Sequence, residues 1–393
     1  MIQRKLRVMM LAPVPYFTEC GCHVRMYEEA RALMRLGHRV RIVTYHLGRD
    51  MPEVPIHRIS DVPWCKNLTF VPSWHKPYLD FLLYRRALKE ARAFRPHLIH
   101  AHLHEGAWIG GRLKNRLHIP LLFDCQGSLT GEMLEHGFVK EGSRRHRFFS
   151  GLERRINAGA ADYIVTRSGP AARDLVERWG VAETRVGTLL DGVDTAHFRP
   201  HPRDEVRGKL RLPPDIPVVV YLGLLNRSQG IDPLLAGIVQ LKSKGSPIRF
   251  LIMGYPEEEY RKKATELGID RMITFTGRID YAKAPCYLSA GDIAVSPKLL
   301  LTEANGTLPA YMACGLPTVS FDTRVNRELL GDAGVYAEYG DVGDLTAKLM
   351  WLMEHEDERK RLRRVVREHA EKRLSWDIRG KELDTIYRNK LRR

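Results

Sequence analysis

The chain has 393 residues, 44% hydrophobic and 28% charged. No apolar run approaches the length of a transmembrane helix, so composition points to a soluble globular protein of two or three domains. Its 63 Lys+Arg against 47 Asp+Glu give a formal charge of +16, which favours polyanionic partners: nucleic acid, anionic lipid or phosphorylated small molecules. Cysteines 20, 22, 65, 125, 286 and 314 have no zinc-like spacing with a second Cys or His pair, so they are read as reduced thiols in a cytoplasmic protein without a metal site.

In chain order, MIQRKLRVMMLAPV is basic and then apolar. It lacks a small-residue cleavage site and reads as a first strand, not a signal peptide. HVRMYEEARALMRLG is an amphipathic helix closed by Gly37, and HRVRIVTYH is a second strand. PHLIHAH, PLLFDCQG and DYIVTRS are further strands separated by helical stretches. Such aliphatic runs between helices predict a parallel sheet covered on both faces.

The charged, proline-rich segment PRDEVRGKLRLPPDIP (202–217) predicts a boundary. Beyond it the pattern restarts with PVVVYLGLL, IRFLIMG, ITFTGRI, IAVSPK and PTVSF, each followed by a helical segment. The last segment, SWDIRGKELDTIYRNKLRR, is an amphipathic helix with no strand after it. The expected fold is α/β: two tandem Rossmann-like domains, 1–200 (with 375–393 packing back) and 201–374, with a two-ligand cleft beyond the carboxyl ends of the strands. The first loop, VPYFTECGCHVR, has Gly21 alone and is not GxGxxG, which argues against a dinucleotide site. In the second half, LGLLNRSQG (222–230) lies between a strand and an apolar helix, where a phosphate-binding loop belongs.

GHRVRIVTYH, DGVDTAHFRP, AGDIAVSPK and AYMACGLPTVSFD, in this order, resemble a family 4 glycosyltransferase of GT-B fold, over nearly the whole chain and most clearly after residue 185. The resemblance implies sugar transfer from a nucleotide-activated donor bound by the second domain to an acceptor on the first. It also implies no metal or other cofactor, the nucleotide sugar being a substrate, and a terminal helix that crosses back. Members usually carry an arginine after the glycine of the GLL loop, a lysine before its next glycine, and two glutamates eight positions apart. Leu224, Gln229 and Ala310 stand at three of those four positions, and Thr302, beside Glu303, at the other. Losing two charge-assisted hydrogen bonds costs about 3–6 kcal/mol, roughly two to four powers of ten in rate. Substitute cations are therefore expected.

Lys298 is the first candidate and Arg327 the second, with Arg227 inside the loop and Arg278 after Gly277 as others at strand ends. TEANGT then reads as a donor loop, with Glu303 accepting from sugar hydroxyls and Asn305, Gly306 and Thr307 beside Gly223 and Gln229 at the donor. In HAHLHEG, the resemblance makes His102 or His104 the contact near the transferred sugar, with one of the three histidines in packing. Gly21, Arg25, Asp124, Gln126 and Glu132 are candidates for the acceptor, Arg25 alternatively for donor phosphate; the strand-end segment DCQGSLTGE reads equally as turn chemistry.

No nucleophilic carboxylate is evident, so transfer is expected without a covalent intermediate and, by resemblance, with retention. Two basic clusters, SRRHRFF with ERR (143–155) and ERKRLRRVVREH (358–369), read first as solvated helix faces. The helix over 142–157 also suits an anionic membrane surface, or else packs its aromatics inward. This suggests an envelope, polysaccharide or lipid-linked acceptor and a cytoplasmic enzyme peripheral to the inner face of the membrane. No aromatic-studded nucleic-acid motif is present. The alternatives are an inactive GT-B scaffold that assists a partner, motivated by the replaced anchors, and nucleotide-sugar epimerisation on the same fold.

Overall fold

RVMMLA is apolar at successive positions, and every residue after Arg7 is buried, as in a strand covered on both faces. It forms β1 (Arg7–Ala12) in the computed structural model, which describes residues 4–18, 20–66, 75–135 and 137–391. Residues 1–3 of the N-terminal segment, Glu19 of the first loop and 392–393 of the terminal helix lie outside the described residues. The chain divides into two compact units, 1–190 with 376–393, and 191–375.

In the first unit β1 is followed by α1 (Gly21–Arg35), β2 (Arg39–Thr44), β3 (Ile56–Arg58), α2 (Lys76–Phe94), β4 (Leu98–His102), α3 (Leu103–Leu117), β5 (Leu121–Cys125), α4 (Leu129–Glu135), α5 (Arg144–Gly159), β6 (Tyr163–Thr166), α6 (Gly169–Glu177) and β7 (Val186–Thr188). All strand pairings are parallel, in the order β3-β2-β1-β4-β5-β6-β7. Right-handed crossovers then put α1 on one face and α2, α3 and α5 on the other, where α3 packs between α2 and α5. Ser143 caps α5 by accepting from His146 N–H, worth about 1 kcal/mol.

The second unit contains α7 (Arg203–Lys209), β8 (Val218–Leu222), α8 (Ile231–Ser243), β9 (Arg249–Met253), α9 (Glu258–Glu266), β10 (Ile273–Gly277), α10 (Ala284–Leu288), β11 (Ile293–Ser296), α11 (Leu308–Ala313), β12 (Thr318–Phe321), α12 (Arg324–Leu330), β13 (Val335–Ala337), α13 (Val342–Glu354) and α14 (Glu356–Arg373). Its parallel sheet runs β10-β9-β8-β11-β12-β13. α8 shows why these helices stay on the sheet: Ile231, Leu234, Leu235, Ile238 and Leu241 recur at helical spacing and are buried, each contributing about 1.5–3 kcal/mol.

Two expectations at the boundary change. Residues 191–200, expected with the first domain, lie with the second unit: Val193 N–H bonds Leu374 O, and the Arg367 guanidinium bonds the carbonyls of Thr195 and Phe198. The segment 202–217 is no bare linker. Arg207 is 2% exposed and donates to the carbonyls of Pro213, Pro214, Ile216 and Ala290 and to Asp292. Prolines lack a donor but keep their carbonyls, and a buried guanidinium collects them.

The last helix, α15 (Trp376–Lys390), belongs to the first unit. It packs on α1 so closely that a Cβ on Gly380 would lie 2.8 Å from Ala32 Cβ. Ion pairs Arg35–Asp377 and His38–Asp384 flank that contact.

Candidate functional site

Sheet order locates the site before any side chain does. In the second unit the order reverses between β8 and β11, so the loops leaving their carboxyl ends, 223–230 and 297–307, meet at the switch point where open α/β sheets take ligands. The two loops are locked together. Leu299 N–H donates to Ser228 O at 2.9 Å, and Gly230, at φ +79°, comes so near that a Cβ would lie 1.8 Å from Pro297 O. Within the first loop Asn226 Oδ1 accepts from Gln229 N–H and the Ser228 hydroxyl. This Asx-type turn holds the loop without a cation at Leu224 or Gln229, both half-buried.

Lys298 is buried. Its ammonium donates to Ala304 O at 2.8 Å and lies 3.8 Å from Glu303 Oε2, so it pins the 302–305 stretch beside the switch point and keeps Glu303 near. The expected donor contact of the Asn305 side chain is corrected to a scaffolding one: its Nδ2 donates to Ser296 Oγ and Asn326 Oδ1, and its Oδ1 accepts from the Thr307 hydroxyl. Gly306 is exposed and Thr307 half-buried at the start of α11. Gly223 is fixed by backbone: its N–H bonds Met253 O, and its carbonyl allows no Cβ at Gly254. Arg327 is also corrected. It makes a bidentate pair with Asp322, at 2.5 and 2.7 Å, and stacks on the Tyr336 ring, so its charge is already balanced. Arg227 is exposed at the loop tip, and Arg278 is exposed with its guanidinium 3.9 Å from the Tyr255 ring centre. Of the four cations foreseen, these two have no carboxylate partner among the described residues.

In the first unit the order reverses between β1 and β4. Beside that point lies a buried polar network. Asp124 Oδ2 accepts from Arg25 Nε at 2.9 Å and from Gln126 Nε2 at 2.8 Å, and stands 3.1 Å from His102 Nδ1; Arg25 Nη2 reaches Oδ1 at 3.2 Å. Burial alone would raise the Asp124 pKa, but the Arg25 guanidinium and the His102 hydrogen bond hold it far below the usual carboxylate range. An ionised carboxylate only accepts, so His102 carries its proton on Nδ1 and a lone pair on Nε2.

His100 stacks on His102, ring centres 4.3 Å apart, and its Nδ1 is 2.8 Å from the Tyr387 hydroxyl of α15. His104 Nε2 is 3.6 Å from Glu153 Oε1, whose partner oxygen accepts from Thr130 N–H. Burial pushes all three imidazoles below their ordinary pKa, so they are neutral at neutral pH. Arg25, Asp124 and Gln126, expected to face a ligand, are instead turned onto one another: a correction that follows from their burial. Glu132 is exposed on α4, and Gly21 is exposed at the start of α1 with open space where a Cβ would point.

Glu29, His100, His102 and Asp124 bring ligand-type atoms within 4.8 Å of one another, the arrangement a divalent metal would use. Arg25 already stands there, its Nε 2.9 Å from Asp124 and 3.0 Å from Glu29. A guanidinium against both carboxylates takes the place of the cation, so the donor set does not fit a metal.

Two family models divide the chain within about ten residues of the boundary between the units. "Glycosyltransferase Family 4" matches residues 21–197, and "Glycosyl transferases group 1" matches 202–369. The chain belongs to glycosyltransferase family 4. This family 4 chain is 28% identical to the D-inositol 3-phosphate glycosyltransferase of Thermomonospora curvata, over 93% of itself and 90% of that protein. Among solved structures, sucrose-phosphate synthase of Thermosynechococcus elongatus superposes with a TM-score of 0.80 at 19% identity, covering 98% of each chain. HepE of Anabaena, solved with UDP and glucose, gives 0.78 at 15% identity, covering 98% of this chain and 99% of that one. These likenesses establish the GT-B fold, and the family 4 chain is a hexosyltransferase-type glycosyltransferase.

Sequence reasoning missed Glu29, Glu153 and Tyr387. The two glutamates sit on helices where acids normally face water, and Tyr387 lies 287 residues from its partner His100, with no local signal. Glu29 had one readable cue, its spacing of four from Arg25, which puts both on one helix face.

Proposed function

We propose that the enzyme takes its sugar from a nucleoside diphosphate sugar held at the β8–β11 switch point, and passes it with retention to an acceptor bound by the first unit. The observation that carries this reading is the locking of loops 223–230 and 297–307, with Lys298, Glu303 and Arg227 on them. Arg227, with Arg278 from the carboxyl end of β10, supplies the positive charge that the residues at 224 and 229 do not, and Lys298 shapes the loop from within. Developing charge on the departing diphosphate is the main demand of the step, and fixed cations meet it. Glu303 accepts from sugar hydroxyls; His102 or His104 serves the transferred sugar. HepE with UDP and glucose supports a nucleotide donor; the D-inositol 3-phosphate glycosyltransferases support sugar transfer to a polar acceptor, and an envelope, polysaccharide or lipid-linked acceptor rests on the sequence reading alone.

A thermal-shift titration with UDP, GDP, ADP and their sugars tests the donor. Ligand at about a hundredfold over Kd stabilises by roughly 2.7 kcal/mol, a clear shift. One nucleotide is expected to give it, and Arg227→Ala, on an exposed side chain, is expected to weaken its binding about tenfold or more. No shift with any nucleotide from a folded sample would overturn the reading in favour of an inactive scaffold or a lipid-phosphate donor.

A further inference from the structure

The two basic clusters of the sequence have different fates. On α14 the charges alternate in sign and pair along the helix: Lys360–Glu356, Arg361–Glu358 and Lys372–Glu368. On the layer formed by α2, α3 and α5 only the less exposed charges pair, as Arg86–Glu90, Lys76–Glu105 and Lys114–Asp162. The exposed charged residues of these three helices are Arg85, Lys89 and Arg92 on α2, Arg112 and Arg116 on α3, and Arg144, Arg145, Arg147, Arg154 and Arg155 on α5. Every one is a cation, and none makes an ion pair with a described residue. Acids begin only at the border, with Glu132 and Glu135 on α4 and Glu141 before α5.

The same layer collects apolar surface. Among the described residues of the first unit, the exposed large hydrophobic side chains are Trp64, Tyr78, Phe81, Trp108 and Phe148, the last 65% exposed. Four lie on these helices, and Trp64 touches the Tyr78 ring. Arg112 stacks on Trp108 at 3.8 Å, carrying charge and ring together. Between the cations of α2 is a shallow hollow of about 520 Å³, lined by Arg85, Leu88, Lys89, Arg92 and Ala93.

We propose that the outer face of the α2–α3–α5 layer docks on an anionic phospholipid bilayer, the cations meeting headgroup phosphates and the aromatics entering the interface. The chemistry is that of an interfacial helix surface: exposed rings among arginines, with no exposed acid among the described residues of the three helices. Nucleic acid is the less suited polyanion, since the rings sit on three separate helices and form no continuous stacking run for bases. The proposal is independent of the donor site, and it extends the surface well beyond α5.

Co-sedimentation of the full chain with phosphatidylcholine vesicles, with and without phosphatidylglycerol, tests it. Binding is expected only to the anionic vesicles, weakening as salt rises. Each neutralised cation is expected to weaken partitioning about fivefold. Changing Arg144, Arg145, Arg147, Arg154 and Arg155 to Glu should therefore lower it by more than about a hundredfold. Phe81→Ser with Phe148→Ser should lower it about tenfold even where salt screens the charges. A control variant with Lys360, Arg361, Arg364 and Lys372 changed to Glu removes a similar charge from α14 and should bind within a few-fold of wild type. No sedimentation with anionic vesicles, equal loss in the α14 control, or preference of this face for RNA or DNA over vesicles at the same salt would each overturn the proposal. The nucleotide thermal shift, measured on every variant, confirms folding and separates the two readings: its loss with vesicle binding intact counts against the donor site alone.

Discussion

Replacing Asp124 by Asn removes one negative charge from the buried network of the first unit and little else. The carboxylate is fully buried and takes two bonds from Arg25, one from Gln126 and one from His102. An amide keeps one accepting oxygen and turns an NH2 towards the Arg25 guanidinium, itself 1% exposed. Removing one partner of a buried ion pair costs about 3–5 kcal/mol. For a unit of roughly 200 residues that is a fall of about 6–20 °C in Tm. The readout is favourable, because among the described residues four tryptophans, at 64, 108, 179 and 376, belong to the first unit and only Trp351 to the second, so tryptophan emission follows the perturbed unit. The folded pKa of Asp124 is depressed, so its stabilisation is complete above the unfolded value of about 3.9 and is lost as pH falls through the folded one; the gap between wild type and variant should close only in that acid range. The double variant Arg25→Met, Asp124→Leu, made together with Glu29→Gln so that no buried carboxylate loses its cation, should recover part of the loss. A fall below about 2 °C for Asp124→Asn near neutral pH, or a combined variant no better than the single, would refute the reasoning.

Two further outcomes follow from local geometry. Burial and the neighbouring Glu105 push Asp80 up to about 7, against its hydrogen bond from Tyr45 and the charge of Lys76. A raised carboxyl stabilises fully below its unfolded pKa and loses that contribution as pH rises through the folded one. Asp80→Asn should therefore match wild type near about pH 3 and exceed it by on the order of 4 kcal/mol near about pH 8.5, as urea unfolding would show; equal stability at both would contradict it. Gly230→Ala forces a Cβ into Pro297 O at φ +79° and should cost at least about 1–3 kcal/mol and open the 222–230 loop to protease, whereas Gly142→Ala, at φ +73° with open space, should cost only about 1 kcal/mol and leave nucleotide binding unchanged.

The strands were legible because runs such as LIHAH, LLFDC and VVVYL are largely apolar and short, and a sheet between helix layers is what keeps both of their faces dry. The switch-point loops followed from those strands. What one sequence does not display is which polar side chains turn inward. Asp124 finds Arg25 99 residues away, and Arg327 finds Asp322 only because the β12–α12 turn folds one over the other. Lys298 illustrates the limit from the other side. Its position at a strand end was readable, but its bond to Ala304 O, six positions on, which makes it a brace for its own loop, depends on the path of the residues between.

The docking of α15 also fixes when the first unit can be completed during synthesis. Its sheet is finished by residue 190, yet the partners of Ala32, His38 and His100 lie at 380, 384 and 387. On the ribosome those three residues must wait until the whole second unit has been translated. At about 5–20 residues per second, that is roughly ten to forty seconds with one helix face of the nascent unit uncovered. A chaperone that shields apolar surface would have its longest engagement there, and a chain stalled before α15 would present the same face to the proteases that clear unfinished proteins.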